Sequence, residues 1–391
     1  MELVLLDDRL RRSTYVEGYV SLIWTERYNE YGDFELVVTE KNPAASLLSR
    51  GSLLSLDKSS RVMMVTTIER KMADDGSVSI TFSGASIEYL LDDRPAARSW
   101  TDAGSLIWSF TDMLPQNIMV ELFDTVCRTP ALDPADAIPF LAPGIISPEG
   151  SIALPDEPIV LELSAGTLYS HLSDIAKRFN LGFRIVRRDK DGEDATLHFE
   201  VFVGDDRTGN QSVRNAVIFA PNLENLLNTT QLISDSGSKN IAYVFTKNGA
   251  GIVYGSGVSP LVAGVERKVL MINAEDITET GAALDLAIQR RGLEELAKYR
   301  TIHAFDGEIP QDGAYVYELD YRLGDLVVLQ DATGYASEMM VTEQIFIDDK
   351  EGARSYPTLA LSTTVNPGSW LAWGGDVTWI EVDPSILWLN A

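Results

Sequence analysis

The tetrapeptide Met-Met-Val-Thr occurs twice, at Met63–Thr66 and at Met339–Thr342, about three quarters of the chain apart. Four residues alone constrain little, because apolar strands draw on few residue types. Their surroundings constrain far more. Gly51-Ser-Leu-Leu-Ser-Leu56 precedes the first copy and Gly324-Asp-Leu-Val-Val-Leu329 the second; MMVTTIER then matches MMVTEQIF, an acidic turn (Asp74-Asp75-Gly76, Asp348-Asp349) follows each, and VSITFS matches LALSTT. The same strand, strand, turn, strand series at both extremities predicts one β-module folded twice. Its marker residues are Gly51, Leu53, Met63, Met64, Val65 and Thr66, and then Gly324, Asp325, Leu326, Met339, Met340, Val341 and Thr342. The competing reading is two unrelated β-domains whose hairpins look alike.

At 391 residues the chain has room for several domains, each with its own core. Apolar residues make up 45% and charged ones 23%, and no apolar run reaches bilayer-spanning length, so membrane insertion by this chain is not expected. The start, MELVLLDDRLRR, has a four-residue apolar patch with acids directly behind it, which does not fit a secretory signal and points to cytoplasmic synthesis. A single cysteine, Cys127, and three scattered histidines supply neither an internal disulfide nor a zinc cluster. The net charge of −26 opposes nucleic-acid binding, which draws on lysine and arginine, and fits a surface that sits beside a polyanion without holding it.

The first module, residues 1–95, reads as strands at YVEGYVSLIW and FELVVT, a short helix NPAASLLSR capped by Asn42 with Pro43 at its first position, then strands around Leu53–Leu56, Val62–Arg70 and Ser77–Ser83. Eight of the sixteen prolines fall between Pro115 and Pro158, where missing amide donors predict an extended arm over 96–160. Residues 161–217 read as a small α+β insertion: the stripe Leu168, Leu172, Ile175, Phe179 marks a helix ending before Gly182, and FRIVRR and TLHFEVFV are strands. The second module is expected over 218–365, split into about 218–262 and 303–365. Strands at Thr229–Ile233 and Ile241–Thr246 precede a connecting segment at about 263–302, whose helix, Thr278–Tyr299, matches the short helix of the first module. The last stretch, 366–391, carries Trp370, Trp373, Trp379 and Trp388, four of seven tryptophans, and reads as a docking tail.

Catalytic signatures are sparse. His171, His198 and His303 stand near no nucleophile motif, and Cys127 lies in no thiol-nucleophile context. GAGIVYGSG lacks the spacing of a phosphate loop, and DKDGEDA has its glycine two places too early for an EF-hand. The acidic pairs read as turn chemistry. Two facing carboxylates could hydrolyse a glycosidic bond, and Glu318 with Asp325 is such a nomination, but 58 acidic residues make any pair unspecific. No cofactor, metal site or catalytic residue is expected.

Three stretches carry a resemblance: LIWTERYNEYGDFELVV; SLLSLDKSSRVMMVTTIERK followed by TFSGASIEYLLDDR; and YELDYRLGDLVVL with MMVTEQIF. Over roughly residues 1–365 the chain resembles the tail-hub, or minor tail, proteins of long-tailed phages with non-contractile tails, related in fold to the baseplate hub of contractile tails. The resemblance implies a mainly β protein of two similar tail-tube-like β-barrels, each with a helix, carrying inserted domains. It also implies a homotrimer whose six similar units form a pseudo-sixfold ring, a symmetry adaptor between the tail tube and the tip. The place implied is the virion tail tip or baseplate. The neighbours implied are the tail tube or distal tail protein, the tape-measure protein and host-recognition parts, with genomic DNA passing unbound during ejection. The alternative is a carbohydrate-active protein, hydrolase or binding module, with the tryptophans as sugar platforms.

Overall fold

Alternating apolar and polar residues set most of the elements: in DFELVVT, Phe34, Leu36 and Val38 are buried while their neighbours are half-buried or exposed, the period of two of a strand. The computed structural model describes residues 1–97, 108–130, 133–163, 165–189, 194–225, 227–299, 302–308, 315–330 and 336–361. The chain opens with β1 (Leu3–Leu6), β2 (Arg12–Val16), β3 (Ser21–Arg27), β4 (Asp33–Thr39), α1 (Ala44–Leu47), β5 (Leu53–Leu56), β6 (Val62–Met72) and β7 (Val78–Ser86). It continues through β8 (Trp108–Met113), α2 (Pro115–Phe123), β9 (Ile145–Ile146), β10 (Ile159–Leu163), α3 (Leu168–Phe179), β11 (Gly182–Arg188), β12 (Thr196–Phe202), β13 (Ile218–Phe219) and β14 (Leu227–Ser234). Last come β15 (Ile241–Thr246), β16 (Gly249–Tyr254), β17 (Val269–Asn273), α4 (Ala282–Leu296), β18 (Ile302–Glu308), β19 (Leu326–Gln330), β20 (Ala336–Asp349) and β21 (Gly352–Leu361).

Among the described residues, thirteen strands join in one sheet. Its main path is β14-β18-β21-β20-β3-β4-β7-β6-β5-β1-β2, with β19 beside β20 and β13 beside β19. The block β3-β4-β7-β6-β5 therefore has a counterpart of the same order, β14-β18-β21-β20-β19, and β20 joins the two. The expectation was two barrels; among the described residues the path has two ends, β14 and β2, and closes into neither. The physical reason is that β20 is long enough to hydrogen-bond β19 with its first half and β3 with its second.

Two compact units result, one built from Met1–Gln231 and the strands that follow Ala304, the other from Leu232–His303. In the second, β15 lies between β16 and β17 in a sheet of its own. Ala242, Val244, Val253 and Ile272 form its core with Leu284, Ile288 and Leu296 of α4. A Cβ on Gly251 would lie 2.7 Å from Ile288 and one on Gly292 2.5 Å from Val253, so these glycines let helix and strand approach. The sequence expectation differs here: β15 and β16 belong to this separate sheet, and of the 218–262 segment β13 and β14 join the main one. Nor is α4 the counterpart of α1. That short helix stands between β4 and β5, whereas α4 precedes β18, the counterpart of β4.

The proline-rich segment also departs from an extended arm. Pro115 takes the first helical position of α2, where no amide donor is needed. Ile118, Met119, Leu122, Phe123 and Cys127 are buried in one core with Leu168, Leu172 and Ile175 of α3 and Phe183, Phe199 and Val201 of β11 and β12. Residues on both sides of the expected boundary at 160 thus share a core, and Phe123 stacks on Phe199 with ring centroids 4.1 Å apart.

Candidate assembly site

The two Met-Met-Val-Thr segments occupy corresponding places. Leu53 faces Met64 and Leu54 faces Met63 across β5 and β6; Leu326 faces Met340 and Val327 faces Met339 across β19 and β20. On the other side, Val65 opposes Gly84 and Thr67 opposes Ser83, leaving Thr66 as an extra residue; Val341 opposes Leu359 and Glu343 opposes Thr358, leaving Thr342. Each threonine is the odd residue of a β-bulge, a device that bends a strand and increases its twist. Their hydroxyls donate to Ser83 O at 3.4 Å and Thr358 O at 3.2 Å.

The turn before each hairpin matches as well. Gly51 and Gly324 both have φ +87°, a left-handed conformation that favours glycine. Gly51 N–H donates to Val65 O at 2.8 Å and Gly324 N–H to Val341 O at 2.8 Å. Val65 N–H and Val341 N–H donate back to Ser52 O and Asp325 O at 2.9 and 3.0 Å. Even the side-chain brace repeats: Ser52 Oγ accepts from Ser49 N–H at 3.0 Å and Asp325 Oδ2 from Arg322 N–H at 3.1 Å.

Asp325 carries more than its counterpart. It is fully buried, and Oδ1 also accepts from Asp205 N–H at 2.6 Å. Burial pushes its carboxyl up to about 7, against the lowering by the Asp205 and Arg322 amides. Asp205, also buried, lies 3.1 Å from Arg214 and Arg322 and 3.3 Å from Arg207. The nominated partner Glu318 is exposed on a turn with φ +67°, its amide donating to Tyr321 O. Asp325 is thus occupied in bracing a turn.

Beyond its bulge, β20 pairs antiparallel with β3 from Glu343 opposite Arg27 to Asp349 opposite Ser21. Tyr28 N–H donates to Thr342 O at 2.9 Å, and Arg27 Nε lies 2.8 Å from Glu343. Phe346 is buried with Trp24 and Phe34. The corresponding half of β6, Thr67–Met72, pairs among the described residues with β7 only, and Glu69, Arg70, Lys71 and Met72 are exposed.

Other sequence candidates lie elsewhere in the fold. His171 is buried on α3, His198 lies in β12 with Nε2 2.9 Å from Thr196 Oγ1, and His303 lies in β18. Burial pushes the Cys127 thiol up to about 12 and leaves it unreactive. Asp75 and Asp349 accept from the amides of their own turns, at Ser77 and Glu351. Trp370, Trp373, Trp379 and Trp388 lie outside the described residues. Sequence reading missed Tyr28, whose hydroxyl donates to Asn180 O at 3.0 Å, and the buried ion pair of Arg61 and Glu88 at 3.2 Å. Their partners are far apart in sequence and leave no local signal.

A family model described as Siphovirus ReqiPepy6 Gp37-like protein matches residues 2–359. The tail protein from Neisseria meningitidis MC58 superposes with TM-score 0.54 at 11% identity, over 92% of this chain and 96% of that one. The 43 kDa tail protein of prophage MuSo2 from Shewanella oneidensis does so with TM-score 0.53 at 17% identity, over 92% and 98%. At these identities the likeness is one of fold. No protein with a curated description matches the chain.

Proposed function

Since the chain belongs to the Siphovirus ReqiPepy6 Gp37-like protein family and has the fold of phage tail proteins, we propose that it is a structural component of a phage tail, serving as the hub at the tip. In this reading three chains form a pseudo-sixfold ring that continues the tail tube, surrounds a channel for DNA and attaches the distal host-recognition parts, without catalysis.

The observation that carries the reading is the repeat, matched in register, bulge and turn across β5-β6-β7 and β19-β20-β21. A threefold assembly of chains with two like modules each presents six like modules, which lets threefold and sixfold neighbours join without a symmetry clash. The ring-forming modules are the β3–β7 block and the β14 and β18–β21 block. Residues 96–217 and 235–301 are insertions upon them, and the tryptophan-rich tail 366–391 docks on a neighbour. Net charge supports the channel: −26 per chain disfavours DNA adhesion to the wall.

Electron microscopy of intact tails with the chain labelled tests this. Three copies at the tip, around a lumen lined by the two modules in alternation, are expected. Another copy number, or a place along the tail shaft, overturns it.

A further inference from the structure

We propose that the open edge of β6, Thr67–Met72, takes β14, Leu227–Ser234, of a second copy of this chain, repeating between chains the β20–β3 junction made within one. The inference rests on the ring reading above and specifies its seam.

β6 and β20 share register, bulge and turn, so Thr67–Met72 of β6 corresponds to Glu343–Asp348 of β20. That part of β20 is covered on both edges, by β21 and by β3. Among the described residues, the same part of β6 is covered by β7 alone. Open strand edges carry unpaired amides and carbonyls and are templates for another strand. The missing partner is identified by order: β3 is reached from β6 through β7 and β4, and β14 is reached from β20 through β21 and β18. β14 is the counterpart of β3, and it ends the sheet path among the described residues.

Each chain therefore has one open edge of the β6 kind and one of the β14 kind. Such a head-to-tail contact, repeated, closes a ring when the rotation closes. Composition differs between the two junctions in the direction this requires. Within the chain the β20 side reads Ile345, Phe346, Ile347; the β6 side reads Glu69, Arg70, Lys71. Charged residues on an edge oppose indiscriminate pairing before the correct partner arrives.

The test is cysteine cross-linking in the full chain, with the buried Cys127 left in place. One cysteine replaces Ile68, Glu69, Arg70 or Lys71 and a second replaces Asn228, Thr229, Thr230 or Gln231. After mild oxidation, denaturing gels without reductant are expected to show linked dimers and trimers for pairs of one alternation phase only, since successive side chains point to opposite faces. Single-cysteine variants stay unlinked. Native mass is measured in parallel. A mass of three chains with no linked pair overturns the seam and leaves the ring standing. A single-chain mass at every concentration, with no linking, overturns both.

Discussion

Gly51 and Gly324 hold the same backbone angle in different surroundings, which separates conformational from steric cost. A Cβ on Gly51 meets nothing within 4 Å, whereas one on Gly324 would lie 2.4 Å from the Tyr28 ring. Gly51→Ala should therefore cost about 1–2 kcal/mol, the strain of a left-handed residue, and Gly324→Ala clearly more, because the buried Tyr28 must also move. Urea unfolding of both variants measures the difference; equal losses would show that Tyr28 yields freely. Asp325 gives a pH signature. Its carboxyl sits at about 7 in the folded chain against an ordinary 3.8, so between these values the native state holds a proton that the unfolded chain has released. Raising the pH through that window weakens folding, by on the order of 2–4 kcal/mol for a shift this large, and above it the effect is complete. Asp325→Asn is expected to be less stable throughout yet to lose this slope, read as the change in unfolding midpoint between pH 5 and pH 8. Both glycines, both methionine pairs and Asp325 were visible in the sequence as a repeated motif. The reason for Asp325 at the place of Ser52 was not, because Asp205 and the arginines reach it from distant elements.

At the level of elements, the long hairpin strands β6 and β20 show what a sequence reveals and what it hides. Alternation and turn residues exposed the hairpins themselves, since both are local. The join between β20 and β3 was hidden: its strands lie at opposite ends of the chain, and nothing local tells Ile345-Phe346-Ile347 which edge it will meet. For the same reason α2 escaped notice. Proline density argued for an arm, while only the assembled core shows Ile118 and Leu122 buried behind Pro115. Phe346 and its counterpart Arg70 test the asymmetry directly. Phe346→Ala empties a site packed against Trp24 and Phe34 and should cost about 3–5 kcal/mol. Arg70→Ala in the unassembled chain should stay within about 0.5 kcal/mol, as for other exposed positions. Chemical denaturation of the monomeric chain compares the two, and a large loss at Arg70 would mean that the β6 edge is already engaged without a second copy.

For the molecule as a whole, charge and assembly oppose each other. Three chains at −26 each bring −78 into the proposed ring. Strand pairing acts at hydrogen-bond distance and is little affected by salt, whereas repulsion between chains acts over the screening length, about 10 Å at 0.1 M and shorter as salt rises. Trimer formation should therefore strengthen with ionic strength, by roughly tenfold in the association constant between 50 and 500 mM sodium chloride, about 1.4 kcal/mol. Mass photometry across a dilution series at each salt measures it. Weakening instead would mean that attraction between oppositely charged patches dominates the contact, and Glu69, Arg70 and Lys71 on the β6 edge would then be the first residues to neutralise. The same acidity predicts that duplex DNA stays unbound even at 50 mM salt, where a phosphate-binding protein binds most tightly. Fluorescence anisotropy of a labelled duplex, titrated with assembled trimer, should stay flat. A salt-sensitive rise would place lysines and arginines on a DNA-facing wall, against a channel that works by repulsion.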